Sequence, residues 1–266
     1  MAKSSAPGEK SGPPPERQQR PPRLVGADRV LATLVEVAKN PEGIALDDLA
    51  RQLDSPKSTV HRALSSLRRA GLATQQEHGY YELGDEFLRL AFAFHAARPE
   101  HLRVQPALEA LAKHFGETAH YAVLDGPEVV YRAKVDPPTG AIRLTSVIGG
   151  RNPAHCTAVG KLLLAHTHRT DSEVEAWAQG VDLRASTPHS ITTIAGLTAE
   201  LNQIRTQGFA VDAEENEEGI NCVAIPAPAP SPAATPGAIS VSALRYRMPL
   251  NSLVEQLPKI REIVGA

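Results

Sequence analysis

From Ala27 onward the chain alternates between two kinds of hydrophobic pattern. Val30, Leu31, Leu34, Val35 and Ala38 recur at helical spacing and predict a first helix ending near Lys39. Asn40-Pro41-Glu42-Gly43 is a turn signal. Asp47 is the expected N-cap of a short second helix that buries Leu49, Ala50 and Leu53. Ser55-Pro56 reads as an N-cap followed by proline at the first helical position. A third helix is predicted over 56–70, with Val60, Leu64 and Leu67 as its apolar face and Gly71 as its stop. Two short strands, 72–76 and 80–83, flank Glu77-His78-Gly79 and predict a hairpin. Three helices and a hairpin in this order spell a winged helix-turn-helix.

Residues 85–97 are helical again, with apolar positions on more than one side, and read as a linker helix and a dimer contact. The remainder is mixed. Helices are predicted over 102–115, 157–166, 172–178, 197–207 and 253–264, and strands over 118–124, 129–135, 141–147, 209–212, 222–225 and 238–244. Pro226 to Gly237 (PAPAPSPAATPG) is expected to be a surface loop, because proline lacks the N–H that a central ladder needs. No internal repeat is present.

The first residues break the pattern. Residues 1–24 carry Pro7, Pro13, Pro14, Pro15, Pro21 and Pro22 and few apolar side chains, which predicts a disordered tail. The expected division is therefore a tail (1–24), a winged helix-turn-helix domain (25–84), a linker helix (85–98) and a larger domain (99–266). At 266 residues and 42% hydrophobic, the chain has enough apolar material for two cores. It has no apolar run long enough to span a membrane and no apolar leader, so the expected setting is cytoplasmic. Two cysteines, Cys156 and Cys222, cannot make a disulfide framework. A net charge of -2 argues against a polyanionic partner until it is resolved by region.

So resolved, residues 55–72 hold Lys57, Arg62, Arg68 and Arg69 with no acid among them. A helix that buries Val60, Leu64 and Leu67 presents Ser58, Arg62, Ser65 and Arg69 on its far side, and His61 adds a fifth potential cation. Lys57, Ser58 and Thr59 fall in its first turn, where backbone N–H groups and the helix dipole favour a phosphate. Arg62 is the candidate for reading a base, since its fork matches guanine. Such a face is double-stranded DNA chemistry. A solvated helix face is the plain alternative, and the flanking helices and wing weigh against it. In the wing, Gln75, Gln76 and His78 are candidates for backbone contact.

The run from Asp28 to Leu83, with PKSTVHR as its most specific part, resembles the N-terminal domain of the IclR family of bacterial transcriptional regulators. The resemblance continues through Gly149-Gly150-Arg151-Asn152-Pro153-Ala154-His155-Cys156-Thr157-Ala158-Val159-Gly160-Lys161 and through Gly208 to Pro226. It implies an α+β chain: a winged helix-turn-helix joined by a linker helix to a GAF-like mixed α/β domain that binds a small-molecule effector. It also implies homodimers or tetramers on a DNA operator, and effector contacts at Ala158, Val159, Asp212, Cys222, Ser240 and Ser242.

Part of that pocket is readable without the resemblance. Thr157-Ala158-Val159-Gly160 opens a helix with small residues, which leaves N–H groups approachable for a carboxylate. Ser240 and Ser242 share one face of a strand by the period of two, which suits a polar ligand better than a core. Val159 and the long proline-rich loop depart from the family pattern, so effector identity does not transfer.

Catalysis fits poorly. Consecutive His155 and Cys156 on an extended segment point to opposite sides, and no nucleophile elbow, Walker A loop or HExxH is present. A metal reading of His155, Cys156 and Cys222 is geometrically open but lacks CxxC-type spacing. A redox-sensing regulator using either cysteine is the other alternative, weighed against two small buried thiols. His155 reads as a structural hydrogen-bonding residue. The expectation is a transcriptional regulator, a repressor before an activator, with neither cofactor nor metal.

Overall fold

In a computed structural model of the chain, the described residues are 26–96, 99–137, 144–229 and 236–265. The expected tail lies outside them. The chain divides into two compact units between Ala93 and Phe94.

The N-terminal unit runs α1 (Gly26–Ala38), β1 (Ile44–Ala45), α2 (Leu46–Gln52), α3 (Lys57–Arg69), β2 (Ala73–Gln75), β3 (Tyr80–Leu83) and α4 (Asp85–Ala96). It is a winged helix-turn-helix. Val37, Ile44, Leu49, Val60, Leu64 and Tyr81 meet in one core. The two-residue β1, too short to leave a pattern, pairs with β3 to give a sheet of order β1-β3-β2. Gly71 ends α3 at φ +71, with Leu72 N–H bonded back to Leu67. Two caps differ from expectation. The helix α2 starts two residues early, at Leu46 with Ala45 as its N-cap, so Asp47 sits inside its first turn and bonds Lys57 instead. The residue capping α3 is Pro56, while the Ser55 hydroxyl turns back to the Leu53 carbonyl.

The C-terminal unit contains α5 (Pro99–Phe115), β4 (Thr118–Asp125), β5 (Glu128–Val135), β6 (Arg151–Pro153), a 3-10 turn (Ala154–Cys156), α6 (Ala158–Thr167), α7 (Asp171–Ala178), α8 (Ile194–Gln207), β7 (Ala210–Ala213), β8 (Ile220–Pro226), β9 (Gly237–Leu244), α9 (Leu250–Glu255) and α10 (Leu257–Val264). The strands form one antiparallel sheet of order β6-β5-β4-β9-β8-β7. Each face has its own core. Leu108 and Leu111 of α5 and Ile260 of α10 pack on Tyr121, Val223 and Val241. On the opposite face, Leu162 and Leu163 of α6 and Leu201 and Ile204 of α8 pack on Ala122, Ala210, Ala224 and Ala238.

Three expectations need correction here. Residues 253–264 do not form one helix. The chain breaks at Gln256, because Pro258 has no N–H to continue the ladder. Of the strand expected at 141–147, residues 141–143 lie outside the described set. Residues 144–147 form no strand, since their carbonyls are claimed by Lys134. The sheet edge is taken by β6 beyond the Gly149-Gly150 turn. Finally, Pro226 and Gly237 belong to β8 and β9, with Pro226 opposite Ala238 at the end of the ladder. Between them, residues 230–235 lie outside the described residues.

Candidate functional site

Two sites follow from this framework. On α3, Val60, Ala63, Leu64 and Leu67 are buried. At 100° per residue this turns Lys57, His61, Ser65, Ser58, Arg69 and Arg62 onto one continuous outer face. Lys57, Ser58, His61, Arg62 and Arg69 are exposed, and Thr59 and Ser65 are half-buried. The Ser65 hydroxyl donates to the His61 carbonyl, so its proton is committed to the helix. Lys57 is held by Asp47 at 2.7 Å, and Arg69 bonds the Ser66 hydroxyl. His61 and Arg62 make no side-chain hydrogen bond or ion pair among the described residues, so both are available to a partner. One link had no sequence signal. Arg68 donates to the Gln75 side chain at 2.9 Å and ties the end of α3 to the wing.

The second site is a cavity of about 470 Å³ in the C-terminal unit, on the α6 face of the sheet. Register builds its floor. Thr118, Ser242, Cys222 and Asp212 stand in one row across β4, β9, β8 and β7, and His120, Ser240, Ala224 and Ala210 form the next. Ala158 and Val159 at the start of α6 form a wall. All six residues expected to contact an effector (Ala158, Val159, Asp212, Cys222, Ser240 and Ser242) line this one space. Thr157 caps α6: its hydroxyl accepts from Gly160 N–H and its carbonyl from Lys161 N–H. Ala158 and Val159 therefore hold the first-turn N–H groups with no acceptor inside the helix. A carboxylate set there meets two donors and the positive end of the helix dipole.

Burial favours the neutral form of several ionisable groups in and beside the cavity. Burial and Lys134 lower His120 to about 3. Burial pushes the Cys222 thiol well above its usual range and Cys156 to about 11. Burial, helped by Glu215, raises Asp212 to about 7 even though its Oδ1 accepts from the Glu215 and Asn216 N–H groups. Asp212 thus titrates near neutrality, and its sign is definite. The native state binds this proton more tightly than the unfolded chain, so the contribution is present below about pH 4 and is lost as pH rises through about 7. Melting curves should show stability falling across that window, and Asp212→Asn should flatten the slope. An unchanged slope in the variant would place the titration elsewhere.

Sequence reading missed several members. His120 shares a strand face with Thr118 by the same period of two that marked Ser240 and Ser242, so its signal was present. Tyr131, Asn152 and Arg184, also in the lining, gave none. Lys161 is fully buried inside α6 and bonds Glu200 on α8 and Glu215 beside Asp212. Burial opposes its charge, and the two carboxylates more than offset that and raise its pKa. His155 stays out of the cavity lining. Its Nε2 bonds the Arg184 carbonyl at 3.0 Å, in keeping with a structural role. Among the described residues, no three His, Cys, Asp or Glu side chains come together as metal ligands. Among the described residues, no helix is long and apolar enough to cross a membrane.

Comparisons with known proteins agree with this division. Residues 26–77 match the IclR helix-turn-helix domain, and residues 101–266 match the C-terminal domain of bacterial IclR transcriptional regulators. The chain is 32% identical over 206 residues to the HTH-type transcriptional regulator XynR of Escherichia coli, covering 77% of this chain and 81% of that one. It is 32% identical over 223 residues to the E. coli DNA-binding transcriptional repressor YiaJ, covering 82% and 78%. The crystal structure of Thermotoga maritima IclR superposes with a TM-score of 0.72 at 26% identity, covering 89% of this chain and 94% of that one.

Proposed function

The chain belongs to the IclR family of bacterial DNA-binding transcriptional regulators, and from that premise we propose that it is a repressor whose hold on its operator is set by a small organic acid in the C-terminal cavity. The observation that carries the effector reading is the convergence of Ala158, Val159, Asp212, Cys222, Ser240 and Ser242 on one space, with the open N–H groups of α6 at its wall. The repressor reading draws on the kinship with YiaJ.

On DNA, Arg62 is the base-reading residue. Lys57, Ser58, Thr59, His61, Ser65 and Arg69 flank it as phosphate or mixed contacts. One such face covers too little DNA for a selective site, so the working species is a homodimer or tetramer on two half-sites. Apolar side chains at Leu31 and Val35 of α1 and Leu88 and Phe92 of α4, each pair four residues apart and between 46% and 68% exposed, supply a surface for self-association. An effector that prefers one arrangement of the recognition helices shifts the population by its differential affinity.

Replacing Arg62 tests the DNA face. Arg62→Ala should weaken operator binding by about 1–3 kcal/mol and relax the sequence preference at one base pair per half-site. Gel shifts against an operator and its single-base variants measure both. Unchanged binding would remove α3 from the interface.

A further inference from the structure

The effector cavity has a cover. Residues 144–150 run across the sheet from outside β5 and place Leu144, Thr145, Ser146 and Val147 in the cavity lining. One end is fixed by backbone bonds between Tyr131 and Gly149 and Gly150. The other is stitched by side chains. Lys134 Nζ donates to the carbonyls of Leu144 and Ser146 at 2.9 and 2.8 Å. His120 Nε2 meets the Ser146 hydroxyl at 2.8 Å, while its Nδ1 faces the Ser242 hydroxyl at 3.3 Å. Outside, Val147 and Ile148 are exposed, so no outer contact clamps the strap at those two residues.

We propose that His120 is a positioning residue of this cavity, latching the strap through Ser146 and linking that latch to the floor through Ser242; the proposal rests on reading the cavity as the effector site. His120 is buried against Tyr131, with ring centroids 4.9 Å apart, and stands opposite Lys134 on β5. A second positive charge beside that ammonium is disfavoured, so the ring carries one proton. A neutral imidazole has one donor and one acceptor. If Ser242 donates to Nδ1, then Nε2–H donates to Ser146. If an occupant takes the Ser242 proton for itself, Ser242 must accept from Nδ1–H, and Ser146 must then donate to Nε2. Both arrangements hold one ring proton and create no buried ion. The demand an occupant makes on Ser242 is therefore passed to the strap as a change of hydrogen-bond direction.

Cys222 in the cavity floor reports whether the strap is down, and fully buried Cys156 serves as reference. The full-length protein is treated with iodoacetamide, and each cysteine is followed by peptide mass spectrometry. Glutamine at position 120 presents an amide where Nε2 lies, and asparagine presents one where Nδ1 lies. Ser146→Ala and His120→Asn should alkylate Cys222 about fivefold faster than the parent, the response of a local opening equilibrium to one lost hydrogen bond. His120→Gln should stay near the parental rate, and Cys156 should remain slow throughout. Equal rates for the parent and Ser146→Ala, or indistinguishable rates for His120→Gln and His120→Asn, overturn the proposal. The rates are read on the empty cavity, so they stand or fall apart from whether an effector enters it.

Discussion

Lys161→Met should melt the C-terminal unit roughly 10 °C below the parent, from a loss of about 3–5 kcal/mol. The ammonium is fully buried and holds Glu200 at 2.9 Å together with Glu215, whose own side chain is 8% exposed. Methionine preserves the length of the stem, so the packing of α6 changes little. What remains is a buried carboxylate at Glu215 without its cation, and an uncompensated buried charge is far costlier than the pair itself was worth. Adding Glu215→Gln should recover part of the loss, since the two residues act as a unit. Calorimetry on both variants measures this. A Lys161→Met protein melting within a degree or two of the parent would mean that water relieves Glu215.

The neighbouring position gives the second large effect. Alanine is a better helix former than glycine by about 1 kcal/mol, so propensity alone favours Gly160→Ala. Packing reverses the sign. A Cβ at Gly160 would lie 2.3 Å from the Ala154 carbonyl oxygen, 2.5 Å from the Ala154 Cα and 2.5 Å from the Thr157 hydroxyl. Two of these are backbone atoms of the preceding 3-10 turn, so the helix must move away bodily. Strain of about 3 kcal/mol is the expected cost, and it outweighs the propensity gain. Because Ala158 and Val159 belong to the same turn, the shift also displaces the N–H groups aimed into the cavity. The variant should melt early in the C-terminal unit, lose effector response and keep its fold in the N-terminal unit. A variant as stable as the parent would show that the 3-10 turn yields.

How much of this was legible in the sequence depends on the range of the interaction. Helices α1, α3, α6 and α8 were readable because period and caps are local signals. The six cavity residues were named from the family resemblance, with helix-start and alternation signals adding to it at Ala158, Val159, Ser240 and Ser242. Strand register brings the four on β7, β8 and β9 together, and α6 adds the other two. The misses are non-local. Strand β1 exists only because Tyr80 and Tyr81 lie alongside it. Lys161 read as an ordinary helix lysine, since its partners are 39 and 54 residues away. The strap at 144–147 has the composition of a strand, and the distant Lys134, His120 and Glu217 turn its polar groups elsewhere. Asp47 looked like a cap because the competing salt bridge to Lys57 lies ten residues on.

The outer face of α3 has a kinetic consequence. Lys57 is paired with Asp47 and Arg68 bonds Gln75, so two of the four Lys and Arg side chains on this helix must exchange a partner before they meet DNA. Counterion release, the term that holds a protein on arbitrary sequence, is correspondingly small. On the proposed DNA-binding role of this face, a subunit should leave non-cognate DNA quickly and search by hopping rather than by long slides. On the proposed reading of a dimer on two half-sites, occupancy of the operator then depends on copy number and on both half-sites engaging together, and a modest ligand-driven change in helix spacing is enough to empty the site.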